Sequence, residues 1–219
     1  MIIFSWSSPL FIRERYAASQ EDILATIRQY PLATLVSQDA RGFTANHLPL
    51  VIDPARGPHG TLIGHFTRQN PQHAALRADS RVMAVFNGPA GYVSSSWYST
   101  GRDMAPTWNY AAVHCHGTLT LASSEEQTVA ALRALLNHVE QNMPNAWRME
   151  ELGPDGLERR LPHIIGFEIA IERIEAKLQM SQYERPKDTA EAIDVLRAQG
   201  QEDLADTMQR CNFGQKHSQ

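Results

Sequence analysis

Cysteine is scarce in this 219-residue chain: Cys115 and Cys211 are the only two, far apart and without the spacing of a metal-ligand pair. That argues against a disulfide-stapled secreted domain and predicts a reduced, cytoplasmic chain. No apolar run approaches the ~20 residues a membrane span requires. The opening residues, Met-Ile-Ile-Phe-Ser-Trp, lack a basic region and a small-residue cleavage site, so no signal peptide is expected. An excess of basic charge is also missing. A formal net charge of -4 weighs against a general nucleic-acid binder, although a local basic patch remains open. There is no Gly-x-Ser-x-Gly elbow, no phosphate loop ending in Gly-Lys-Ser/Thr and no Gly-x-Gly-x-x-Gly turn. The usual hydrolase, kinase and Rossmann readings therefore have no support. Internal repeats and low-complexity segments are absent as well.

What is present reads as an ordinary globular chain with 42% hydrophobic residues, enough for a sizeable core. Phe4 to Pro9 predicts an ordered aromatic arm. Ser19, followed by Glu21 and Asp22, starts a helix that Tyr30-Pro31 ends. Ala33 to Ser37 and Phe43 to Ile52 read as strands joined at Asp39-Ala-Arg-Gly42. Arg81 to Phe86 is a strand broken by Asn87-Gly88-Pro89, and Trp108 to Leu121 is the longest strand. Ser123 or Ser124 caps a helix running to about Gln141, and Ile164 to Ile174 alternates as a strand. Asp188 to Gln199 and Glu202 to Arg210 are helical, and the tail from Asn212 is expected to fray. Strands with hairpin signals dominate the middle and helices lie at the periphery. There is no strand–helix alternation, so the expected class is mainly β with peripheral helices, an α+β antiparallel barrel rather than a doubly wound sheet. The domain reading is 1–185 with a C-terminal helical extension over 186–219.

Gly60 to Ala75 is the stretch with the most chemistry. Leu62, Gly64 and Phe66 alternate as the inner face of a strand, and His65, Thr67 and Arg68 gather at its end. Asn70-Pro71 is a good helix start, predicting a helix over Pro71 to Ala78 with its free N–H groups aimed at Arg68 and Thr67. An arginine, a hydroxyl and a helix N-terminus together suit an anion such as phosphate. An ordinary strand–turn–helix with one solvated arginine is the plain alternative.

Other polar residues offer less. His114 and His116 share one face of a strand and could share a metal, but no third ligand suggests itself, and no metal is expected. Cys115 faces the other way and reads as a buried structural thiol. In Pro106-Thr-Trp-Asn-Tyr110, an amide between two aromatics suits the edge of a flat heteroaromatic ligand. Lys177-Leu-Gln-Met-Ser-Gln-Tyr183 brings a cation, a hydroxyl and two amides. No residue stands out as an obligatory acid or base, so the catalytic set is unknown.

His47-Leu-Pro-Leu50, Gly64-His-Phe-Thr-Arg-Gln-Asn-Pro71, Phe86-Asn-Gly-Pro89, Tyr92-Val-Ser-Ser-Ser-Trp-Tyr98 and Pro106-Thr-Trp-Asn-Tyr110 occur in that order. Ile165-Gly-Phe-Glu168 and Lys177-Leu-Gln-Met-Ser-Gln182 complete the series. From about Phe4 to Leu196 the chain resembles the PaiB-like, FMN-binding negative transcriptional regulator family. That resemblance implies a split β-barrel related to pyridoxamine-phosphate oxidases, usually a homodimer with FMN between subunits. It implies that His65, Thr67, Arg68 and Asn70 hold the FMN phosphate and that Asn46, His47 and Leu48 lie along the ring system. Trp108, Asn109, Lys177, Ser181 and Gln182 would close the site. The last cluster departs from the family pattern: Ala176 stands where glycine is usual, Leu178 for tryptophan, Gln179 for lysine and Tyr183 for asparagine. Ser95 replaces a proline and Thr67 an alanine.

Three functions follow as expectations: a flavin-dependent oxidoreductase or redox sensor, a transcriptional regulator acting through DNA or a protein partner, and a haem-binding barrel. The second lacks the short glycine-containing turn and basic second helix of a helix-turn-helix.

Overall fold

The computed structural model describes residues 10–76 and 80–214. The aromatic arm expected at Phe4 to Pro9 lies outside the described residues. The chain divides into two compact units, one built from residues 10–26, 87–113 and 175–214, the other from 27–86 and 114–174.

The second unit carries an antiparallel sheet. Strand β1 (Leu32–Asp39) turns at Ala40-Arg41 into β2 (Gly42–Pro49), with Asp39 opposite Gly42. Gly42 sits at φ 122°, a value only glycine tolerates easily. The return strand expected as one piece from Phe43 to Ile52 is two: β2 stops at Pro49, and β3 (Val51–Asp53) begins one residue later. Proline cannot donate to a ladder, so the strand yields there. Next come β4 (Thr61–Thr67), the short helix α2 (Pro71–Ala75) and β5 (Ser80–Val93). Then β6 (Thr107–Leu121), helix α3 (Glu125–Glu140) and β7 (Ile164–Gln179) complete the sheet.

The strand order is β2-β1-β5-β6-β7-β4-β3. Consecutive strands β2 and β3 therefore stand at opposite ends of the order, joined only by Leu50. A flat sheet would separate its outer strands by six spacings, roughly 29 Å, while the two steps from Pro49 to Val51 reach about 7 Å. The sheet must roll until its edges meet, which makes it a barrel. Leu50 is fully buried at that closure, and Gly64 on β4 leaves room for it: a Cβ there would lie 2.5 Å from Leu50 Cδ2 and 2.8 Å from Phe167 Cζ. The expected inner faces hold, with Leu62 and Phe66 of β4 and Phe167, Ile169 and Ile171 of β7 all buried. Ser124 caps α3 by accepting from Gln127 N–H, and the helix docks where Gly166 N–H donates to Thr128 Oγ1.

The first unit holds helix α1 (Gln20–Gln29) as far as Thr26, one end each of β5, β6 and β7, and helices α4 (Pro186–Ala198) and α5 (Glu202–Phe213). Asn87-Gly88-Pro89 does not break the strand as expected. Gly88 serves close approach instead of a turn, since a Cβ there would meet Ala111 Cβ at 2.9 Å. Ile193, Leu196, Leu204 and Met208 pack on Val93, Tyr98, Leu178 and Met180 in one core. Gly200, at φ 74°, closes α4, with Gln201 N–H donating to the Leu196 carbonyl. A short glycine-containing turn thus joins α4 to α5, contrary to the sequence expectation. Asn212 and Phe213 still belong to α5, and Asn212 Nδ2 donates to the carbonyls of Met180 and Met208, while the rest of the tail expected to fray, from residue 215, lies outside the described residues.

Candidate functional site

The residues expected around a cofactor fall into two groups, one in each unit. In the second unit, His65 and Thr67 alternate with the buried Gly64 and Phe66, so both stand on the outer face of β4. His65 is half-buried, its Nδ1 is shielded from water and unpartnered, and burial holds the ring below its ordinary pKa of 6.5. Thr67 O accepts from Asn70 N–H, forming the turn that carries Arg68.

Asn70 caps α2, accepting from Gln72 N–H at 2.9 Å. The helix is shorter than the expected Pro71 to Ala78, ending at Ala75, and its first free N–H groups are spent on Asn70 itself. Arg68 instead lines a cavity of about 210 Å³ that opens on the start of α3, with Ser123, Ser124, Glu125, Thr128, Leu161 and Ile164. Arg68 forms no ion pair among the described residues, while its N–H donates to the His163 carbonyl. One guanidinium beside two hydroxyls is a donor set that fits a phosphate. The Glu125 carboxylate opposes it.

Asn46, His47 and Leu48 split across the two faces of β2: Asn46 and Leu48 are half-buried and His47 is exposed. His47 Nδ1 shares a 3.0 Å hydrogen bond with Thr34 Oγ1. Asn46 Nδ2 donates to Gln72 Oε1 at 2.9 Å. Gln72 escaped the sequence reading, yet it is buried and its Nε2 donates to the Leu35 carbonyl and to Ser37 Oγ, both at 3.0 Å. It ties α2 to β1 and β2, and its only sequence signal is its place after Asn70-Pro71.

In the first unit, Asn109 is fully buried. Its Nδ2 donates to Ser181 Oγ at 2.8 Å and to Met208 Sδ at 3.3 Å, and its Oδ1 is left without a partner. Trp108 faces the other way, 61% exposed, with its ring against Tyr92 at 6.2 Å. Ser181 is held at φ 65°. Gln182 curls back on its own strand end, accepting from Met180 N–H and donating to the Leu178 carbonyl. Lys177 is buried among aromatic rings. Two carboxylates nearby had no sequence signal. Asp188 is fully buried and accepts from the Thr100 hydroxyl, and burial beside Asp188 pushes the Glu184 carboxyl up. Burial with those two charges lifts Tyr98 to about 12.

Cys115 is fully buried and pushed up to about 12, which suits a structural thiol. His114 and His116 are half-buried on β6 and each is engaged.

A rolled antiparallel sheet with peripheral helices and a donor set fit for phosphate defines a split barrel of the flavin-binding type. Two solved structures share the fold. The FAD and heme binding protein from Mycobacterium smegmatis superposes with a TM-score of 0.54 at 18% identity, covering 76% of this chain and 74% of that one. The flavocytochrome Anf3 from Azotobacter vinelandii gives 0.55 at 15% identity, covering 81% and 80%. The family described as "Putative FMN-binding domain" matches residues 10–173, and the chain belongs to that family, whose cofactor is FMN. It is also 34% identical over 176 residues to the Bacillus subtilis "Protease synthase and sporulation protein PAI 2", covering 80% of this chain and 83% of that protein. Arg68 and its neighbours lie inside the matched residues; Lys177, Ser181 and Gln182 lie beyond them. No helix among the described residues is long and apolar enough to cross a membrane.

Proposed function

We propose that this protein is a flavin-dependent redox protein or flavin-linked regulator that anchors the FMN phosphate at Arg68. The observation that carries this is the guanidinium itself: it has no ion pair among the described residues and lines a cavity with Ser123 and Ser124. FMN, when bound, supplies hydride and electron transfer. The chain's own residues then bind and orient. Arg68 neutralises the phosphate and the two hydroxyls fix it, and Thr67, the residue before Arg68, belongs to the same reading. His65 presents an unpartnered Nδ1 held neutral by burial. Asn46 is kept in one orientation by Gln72 and can meet a ligand without paying again for its own ordering. Asn70, His47 and Leu48 belong to the same reading. Trp108, Asn109, Lys177, Ser181 and Gln182 form the second group of this reading.

Pairing of two copies, with FMN at the subunit interface, belongs to the same proposal. Exposed large apolar side chains support it, Phe43 at 78% and Trp108 at 61%. Two free thiols support a cytoplasmic, reducing location.

A second reading, binding of DNA, draws on the α4–Gly200–α5 helix pair. Its charge is wrong: α5 exposes Glu202, Asp203 and Asp206, which repel a phosphate backbone. An absorbance spectrum of the purified protein, with mass spectrometry of the released ligand, tests the main proposal. A flavin spectrum and an FMN mass are expected; a Soret band alone, or no ligand and no FMN binding on titration, would overturn it.

A further inference from the structure

His65 of β4 stands directly opposite Gly166 of β7, and residues opposite one another in an antiparallel pair point to one face. Helix α3 lies on that face: a Cβ on Gly166 would meet Thr128 Cα at 3.0 Å and Ala131 Cβ at 3.2 Å. The imidazole therefore lies beside the seat of α3, with its Nδ1 shielded from water and unpartnered. Both backbone groups of Gly166 hold the wall of the Arg68 cavity. Its N–H donates to Thr128 Oγ1 at 3.2 Å, and its carbonyl accepts from Ala122 N–H at 2.8 Å. Ala122 and Thr128 line that cavity, as does Ile164, which shares the face of Gly166 and stands opposite Thr67. A short chain of contacts thus runs from His65 through Gly166 to the candidate phosphate site.

No charge is placed to welcome a proton on this ring. On β7, Glu168 shares the face but is held by Arg56 at 2.8 and 2.6 Å. On β3, Asp53 accepts from Ala55 N–H, and on β2 His47 is bonded to Thr34. Helix α3 brings Glu125, and Arg68 follows β4, both at the cavity. None of these acts on the ring, which burial alone holds below its ordinary pKa. An imidazolium here would be a half-buried cation without an acceptor, and only water could solvate it. Thr128 belongs to the first turn of α3, where the positive end of the helix dipole adds repulsion. Both effects push the helix away from Gly166.

We infer that His65 is an acid-operated latch on the phosphate cavity: protonation of its ring loosens α3 from Gly166 and weakens the grip on a phosphate-bearing ligand. This rests on the reading that the Arg68 cavity takes the FMN phosphate. A histidine that only filled space would give the cavity the same grip at every pH.

The test titrates the full chain with FMN at pH 7.5 and 5.5, in the parent and in His65→Gln, each referred to its own affinity at pH 7.5. The phosphate itself titrates near pH 6, but the same ligand meets both proteins and that contribution cancels. The parent should lose several-fold more affinity than His65→Gln. Hydrogen-exchange protection of the Gly166 amide in the parent, which needs no variant, should fall several-fold over the same span. Parallel affinity profiles, with Arg68→Ala still weakening FMN, overturn the latch and leave the phosphate reading standing. FMN affinity that ignores Arg68→Ala overturns both. Gly166 protection in the parent that does not change with pH overturns the latch by itself.

Discussion

Asn109 Nδ2 donates to Ser181 Oγ across 2.8 Å, tying the start of β6 to the only described non-glycine residue with positive φ. Holding a serine in the left-handed region costs roughly 1–2 kcal/mol, so the turn after β7 depends on contacts that fix it. Asn109→Ala removes a buried hydrogen bond and leaves a small void, and should destabilise the protein by about 1–3 kcal/mol. Urea unfolding measures this as a lower midpoint at constant slope. An unchanged midpoint would mean the turn holds itself.

Arg68→Ala should weaken FMN binding by about 1.5–3 kcal/mol, the loss of a charge-assisted contact, read from quenching of flavin fluorescence on titration. Glu125 lines the same cavity. Neutralising it in Glu125→Gln should tighten FMN by a few-fold, because a like charge beside the phosphate is removed. FMN affinity that ignores both changes would place the phosphate elsewhere.

Gly64→Ala tests barrel closure. The added methyl would enter the space of Leu50 Cδ2 at 2.5 Å and Phe167 Cζ at 2.8 Å, both on buried side chains. Overpacking of this kind costs about 1–3 kcal/mol, and thermal unfolding should show it as a lower midpoint. A variant as stable as the parent would show that the β2–β3 crossing is loosely packed.

His65 gives a pH dependence with a definite sign. Burial holds its ring below the ordinary 6.5, so the folded chain favours the neutral form. Above pH 6.5 that preference costs nothing. Below it the unfolded chain takes up a proton that the folded chain resists, and stability falls with pH until the folded ring titrates. His65→Gln should therefore lose less stability than the parent between pH 7.5 and 5.5, measured by urea midpoints. Parallel pH profiles for the two proteins would rule this out.

Much of this protein is local, and the sequence by itself determined that part. Leu62, Gly64 and Phe66 alternate because a pleated strand has period two, and Ser124 with Gln127 starts α3 because a helix leaves its first N–H groups unpaired. Arg68 and Asn70 were legible as polar residues at a strand end and a helix start for the same reason. Only the tertiary structure decided what each residue meets. Pro49 and Val51 look like one strand, yet the rolled sheet sends them to opposite ends of its order. Arg68 turned from α2 toward the start of α3, and Gln72 took Asn46 as its partner. Lys177 received its rings from positions 11, 16 and 110. Local rules act over a few residues, whereas these contacts join positions tens to more than a hundred residues apart. Strand order and barrel closure fix them, and no short window of the chain contains either.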